Sequence, residues 1–97
     1  MTHAAGTMMA PRRSVIIVNK RGLHARAAAR FVKLAATFGA DVSVARNGTT
    51  VSGSSIMGLM MLAAGPGTEL VISASGHDAE VAVEALARLV AAGFDED

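Results

Sequence analysis

Val42-Ser43-Val44-Ala45-Arg46-Asn47-Gly48-Thr49-Thr50-Val51-Ser52-Gly53 is the stretch that decides the fold. Val42 and Val44 alternate with Ser43 and Ala45, the period of a strand with one buried face, and Thr49 to Gly53 reads as a second strand. Between them Asn47-Gly48 supplies two residues that tolerate positive φ, as a tight hairpin turn requires if its twist is to match that of the strands. An antiparallel hairpin therefore sits in the middle of the chain, and the flanking segments have to cover one of its faces.

Upstream, Ala25 to Phe38 carries Ala28, Phe31, Val32, Ala35 and Phe38 at helical spacing, with Arg26, Arg30 and Lys33 on a separate basic face and Gly39 placed to stop the helix. Before it, the β-branched run Ser14 to Val18 predicts a buried strand, broken by the loop Asn19-Lys20-Arg21-Gly22. Residues 1–12 show no apolar period and are expected to form a mobile extension, leaving 13–97 as a single domain. Downstream of the hairpin, Ile56 to Leu62 reads as a short helix capped by Ser54 or Ser55, with Ile56, Leu59 and Leu62 inward, and Gly65-Pro66-Gly67 ends it. Leu70, Ile72 and Ala74 alternate as a last strand. Ala79, Ala82, Val83, Leu86, Leu89 and Val90 then mark a final amphipathic helix, with Asp78 as its expected cap, a Glu84–Arg88 pair on its wet face and a stop near Gly93. The order strand, helix, strand, strand, helix, strand, helix predicts an α+β fold with helices on one face of a mostly antiparallel sheet. That order also suits a ferredoxin-like domain, so it does not choose a function.

A chain of 97 residues, 52% hydrophobic, has room for one core and one site. The absence of cysteine excludes disulfides, thiolate metal sites and thiol chemistry. The opening residues lack the apolar segment of a signal peptide, and no apolar run is long enough to span a membrane, so a soluble cytoplasmic protein without membrane insertion is expected. The net charge of +1 hides an asymmetry: seven basic residues, from Arg12 to Lys33, precede the first acidic one, Asp41. Such a dipolar surface steers anionic partners. Nucleic acid is not expected among them, because the only aromatics are three Phe and none lies in the basic loop to stack on a base.

His24 stands where that loop meets a helix, and the first backbone N–H groups of a helix have no intrahelical partner. A phosphoryl group on the ring would meet those donors and the positive end of the helix dipole, with Arg26 close by, and a neutral imidazole nitrogen is able to attack phosphorus. A histidine before a helix is more often an ordinary cap or surface residue, and the position alone leaves both readings open. No second His or carboxylate lies near in sequence, which disfavours a metal cluster or a general acid/base pair. His3 and His77 read as surface residues.

Gly22-Leu23-His24-Ala25-Arg26, followed by Ala28-Ala29-Arg30-Phe31-Val32, resembles the active-site segment of the HPr family, the histidine-containing phosphocarriers of the bacterial phosphotransferase system. A second segment, Ser55-Ile56-Met57-Gly58-Leu59-Met60, resembles that family's regulatory serine and short helix, and the likeness extends over about residues 13–92. The resemblance implies an open-faced sandwich, a four-stranded antiparallel sheet covered on one face by three helices in the order βαββαβα. It also implies a carrier that is not itself an enzyme and needs no cofactor or metal: phosphorylated Enzyme I would place a phosphoryl group on Nδ1 of His24, Arg26 would assist, and an Enzyme IIA protein would receive it, in sugar uptake or a nitrogen-linked relay. It further implies a docking patch of Ala25, Ala29, Arg30, Ile56, Met57 and Met60, a monomer, and Ser55 as a target of an HPr kinase/phosphorylase. Two positions depart from the family pattern: Ala27 replaces the usual proline, and Ser54 stands where strong serine-site members carry lysine. A regulatory binding module on the same fold, controlled through Ser55, is the alternative reading, and a small enzyme using His24 as a general base is a more remote one.

Overall fold

The computed structural model describes residues 10–96. The expected extension therefore lies mostly outside the described residues, as does His3. The elements run β1 (Arg12–Ile16), α1 (Ala25–Ala35), β2 (Asp41–Arg46), β3 (Thr49–Ser52), α2 (Ile56–Met61), β4 (Glu69–Ser75) and α3 (Ala79–Ala91), closed by a single 3₁₀ turn, Gly93–Asp95. One four-stranded sheet has the order β1-β4-β2-β3, every neighbour antiparallel. This is the α+β, open-faced sandwich expected from the sequence, with the element order βαββαβα.

The central hairpin forms as read: Arg46 pairs with Thr49, and Asn47 (φ 48°) and Gly48 (φ 83°) both adopt positive φ between them. Alternation decides which face is covered. Val42, Val44, Leu70, Ile72 and Ala74 are buried under the helices, while Ser43, Ala45, Val71 and Ser73 between them are less so. Phe31 from α1, Leu59 from α2, Leu86 and Val90 from α3, and Phe94 from the last turn complete the core. α3 lies over β1 and β4, and α1 packs against both other helices.

Four local expectations need correction. β1 starts at Arg12 rather than beyond it, because Arg12 pairs with Ser73 and the Pro11 carbonyl accepts from Ala74 N; the strand then gives way after Ile16, although Ile17 continues with irregular bonds to Thr68 and Gly67. α1 stops at Ala35 and not Phe38: Thr37 and Phe38 turn their N–H groups to Leu34 and Ala35, three residues back, which tightens the chain out of the α-helix. Glu84 pairs with Arg13 of β1 instead of Arg88, since Arg13 projects from the sheet face on which α3 lies. Asp78 precedes α3 but makes no side-chain cap; its Oδ2 accepts from Gly39 N at 2.7 Å, tying the end of the α1 segment to the start of α3.

One glycine fixes the approach of two loops at one end of the sheet. Gly22 has φ +64°, and a Cβ there would sit 2.4 Å from the Ala64 carbonyl oxygen and 2.9 Å from Gly65 Cα, so no side chain fits. That close approach lets Leu23 N donate to the same Ala64 oxygen at 2.9 Å, and His24 follows directly.

Candidate functional site

His24 occupies the N-cap of α1 with extended backbone (φ −77°, ψ 178°), and its carbonyl accepts the first helical bond, from Ala28 N. A Ser, Thr, Asp or Asn at that position would turn its side chain onto the first-turn N–H groups. The His24 ring makes no such bond, and the first turn carries no acidic residue, so no side chain caps the first-turn N–H groups; Ala25 and Arg26 are exposed. Ala27, the departure from the family proline, is fully buried, and α1 starts normally around it; alanine there adds one more N–H to this set.

The ring is held from its other side. His24 Nε2 is hydrogen-bonded to Glu96 Oε2, and the Asn19 amide nitrogen donates both to Glu96 Oε1 (2.9 Å) and to the Gly22 carbonyl (2.9 Å). Both partners of that nitrogen are acceptors, which fixes the amide orientation; Asn19 Oδ1 is buried without a partner among the described residues. The side chains of His24 and Glu96 are 19% and 15% exposed. Hydrogen bonds from His24 first, then Asn19, hold the Glu96 carboxyl below the usual carboxylate range and outweigh its desolvation.

Glu96 reaches this place through an unusual piece of backbone. Gly93 (φ 65°), Phe94 (φ 59°) and Asp95 (φ 61°) are all left-handed, which costs about 1–2 kcal/mol for each of the two residues with a Cβ. Full burial of the Phe94 ring offsets much of this, contributing roughly 1.5–3 kcal/mol, and the Arg30 guanidinium donates to the Phe94 carbonyl. The result is a cleft of about 390 Å³ beside His24, lined by Lys20, Arg21, Arg26, Arg30, Asp95 and Glu96. Four cations against two carboxylates leave this cleft net positive, and it adjoins the His24 ring through Glu96, so the surface is suited to an anion.

The sequence grouped His24 with Arg26 and Arg30; in the structure the two arginines line the cleft that Glu96, the partner of the His24 ring, also lines. The sequence did not single out Glu96, seventy-two residues away. The available signal was Phe94: an apolar aromatic just past a helix-stopping glycine has to fold back into the core, and it brings the next residues with it. Ser55 caps α2 as expected, its Oγ accepting from Gly58 N at 2.9 Å. Met57 and Met60 point outward (70% and 41% exposed), and so does Met61, which was not singled out; Leu59 and Leu62 are inward. Ile56, expected inward, is 40% exposed and joins the methionines, because a helix of only six residues buries a single row against β3 and α1. Ala25 and Arg30 are exposed and Ala29 half-buried on the neighbouring face of α1. Arg46 closes the other end of α2 by donating to the Leu62 and Ala63 carbonyls at 2.7 and 3.2 Å. His77 is 95% exposed. No cluster of three or more potential metal ligands occurs among the described residues.

Residues 11–92 match the family described as PTS HPr component phosphorylation site. The phosphocarrier protein HPr of Cupriavidus necator is 46% identical over 84 residues, covering 87% of this chain and 94% of the relative. Phosphocarrier protein NPr of Shewanella violacea is 42% identical, covering 87% of this chain and 92% of its own length. Among solved structures, the crystal structure of HPr-C-His from Thermoanaerobacter tengcongensis superposes with a TM-score of 0.85 at 39% identity, over 90% of this chain and 98% of that one. With its fold, its histidine-bearing helix start and these relatives in agreement over nearly their whole lengths, the chain belongs to the HPr family of phosphocarrier proteins.

Proposed function

We propose that His24 accepts a phosphoryl group on Nδ1 from phosphorylated Enzyme I and passes it to a histidine of an Enzyme IIA protein. The observation that carries this reading is a half-buried imidazole at the N-cap of α1, bound at Nε2 to Glu96, which lines a basic cleft, with no side chain capping the first-turn N–H groups. In the transfer the Nδ1 lone pair attacks phosphorus while the donor's N–P bond breaks, and Nε2 keeps its proton. The phosphoryl oxygens then accept from the exposed backbone of Ala25 and Arg26 and lie near the Arg26 guanidinium, which spreads their charge without further reorganisation. The reverse sequence delivers the group to the Enzyme IIA histidine.

The protein is a stoichiometric carrier, acting in the cytoplasm as a monomer, in sugar uptake or a nitrogen-linked relay. The exposed Ile56, Met57 and Met60, with Ala25, Ala29 and Arg30, form the face presented to both partners; methionine side chains adapt to more than one surface. Isolated phosphoprotein mixed with a compatible Enzyme IIA should lose its label to that protein, and retention of label on His24 would reject onward transfer.

A second reading rests on Ser55, whose hydroxyl lies at the start of α2 next to that same face. Phosphate there would be favoured by the helix N-terminus yet would place about two negative charges against an incoming phosphorylated partner. An HPr kinase/phosphorylase with ATP should modify Ser55 and slow phosphorylation of His24; an unmodified Ser55 removes this control.

A further inference from the structure

We propose that Glu96 is a positioning residue for phosphoryl transfer, fixing the proton of His24 on Nε2 so that Nδ1 carries the free lone pair. The inference deepens the carrier reading and rests on it. An ionised carboxylate only accepts hydrogen bonds, so a ring nitrogen bonded to it has to be a donor; in the neutral imidazole the remaining nitrogen is then unprotonated and nucleophilic. The orientation of the carboxylate is set in turn by the Asn19 amide, which binds its other oxygen while holding the Gly22 carbonyl of the active loop. A chain of three side chains thus ties the ring to its own loop.

The charge of Glu96 has a second consequence. When Nδ1 of a neutral ring gains a phosphoryl group and Nε2 keeps its proton, the ring becomes positive. A carboxylate on Nε2 opposes that charge as it develops and keeps the proton in place, so that the ring can leave as neutral imidazole in the onward step. Charged groups facing this pair are Lys20 and Arg21 from the loop, Arg26 and Arg30 from α1, and Asp95 beside Glu96. The Gly93–Asp95 turn supports the assignment independently. Left-handed backbone at Phe94 and Asp95 is maintained by burial of Phe94 and the Arg30 bond, and strain retained in this way beside a reacting group serves to hold it in position.

The test uses the full chain, wild type beside Glu96→Ala and Glu96→Gln, with melting curves to establish that all three are folded. Nitrogen-15 NMR of the His24 ring in weakly alkaline solution reads the contact without any partner. Wild type should show a slowly exchanging Nε2–H and an unprotonated Nδ1; Glu96→Ala should lose the visible ring N–H through exchange; Glu96→Gln, which still accepts through its amide oxygen, should retain it. In a second arm Enzyme I and phosphoenolpyruvate phosphorylate each protein. Glu96→Ala should be phosphorylated about fivefold more slowly at saturating protein, the factor expected for one net hydrogen bond, with partial recovery in Glu96→Gln. Equal rates in folded wild type and Glu96→Ala, or an unchanged ring N–H signal in Glu96→Ala, overturn the role of Glu96 while leaving the carrier reading intact. Failure of wild type itself to accept phosphate overturns the carrier reading, and with it the positioning role of Glu96 in transfer, whatever the ring N–H shows.

Discussion

Replacing Gly22 with alanine attacks the site through the backbone rather than through any reacting group. The left-handed conformation at φ +64° alone costs alanine about 1–2 kcal/mol. The new Cβ also falls 2.4 Å from the Ala64 oxygen and 2.9 Å from Gly65 Cα, and both are backbone atoms that cannot swing aside. Relieving that overlap has to separate the two loops and lengthen the Leu23–Ala64 hydrogen bond, worth about 1 kcal/mol more. Together these give a loss of roughly 3 kcal/mol and a fall in Tm of roughly 12–24 °C for a domain of this size. Urea and thermal unfolding followed by circular dichroism measure both. At a temperature where the variant remains folded, acceptance of phosphate should also slow, because His24 lies two residues beyond the displaced backbone. A stability loss below about 0.5 kcal/mol, the range of an unremarkable surface change, would refute the close-approach reasoning.

Three further outcomes follow from single features of the structure. Ala63, exposed just past α2 with φ 52°, should be replaceable by glycine with a gain of roughly 0.5–1 kcal/mol, seen as a higher melting temperature. Ser55→Ala should cost about 1 kcal/mol through loss of the Gly58 cap, while Ser54→Ala, whose hydroxyl meets only the exposed Ser52, should stay within about 0.5 kcal/mol. Carbon-13 NMR titration should place the Glu96 carboxyl below an ordinary glutamate, with the midpoint moving up in His24→Ala. Because the folded-state value is lowered, the stabilisation from this contact is fully present above the ordinary carboxylate range and is lost as pH falls through the folded midpoint.

Periodicity and turn chemistry carried most of the architecture. The Asn47-Gly48 turn, the alternation at Val42, Val44, Leu70, Ile72 and Ala74, and the helical spacing around Phe31 and Leu86 are all local signals, and each element appears where its pattern stands. Errors arose where tertiary neighbours decide. Nothing near Glu84 in sequence announces that β1 will bring Arg13 to it, and the inward assignment of Ile56 assumed a wider buried face than one short helix presents. The histidine was legible because it stands at a loop–helix junction within a segment resembling a known family. Its partner was not, because the contact with Glu96 depends on burial of Phe94 and on left-handed backbone at Phe94 and Asp95, a conformation that phenylalanine seldom adopts.

The most direct measurement on the central claim is intact mass after incubation with Enzyme I, Mg²⁺ and phosphoenolpyruvate, with folded His24→Ala run in parallel. A single acid-labile phosphate on the wild-type chain, absent from the variant, is the expected result. Wild-type protein left unphosphorylated by an Enzyme I that is active on another family member, or a variant that still takes up the group, would contradict the assignment of His24 as the phosphoryl carrier.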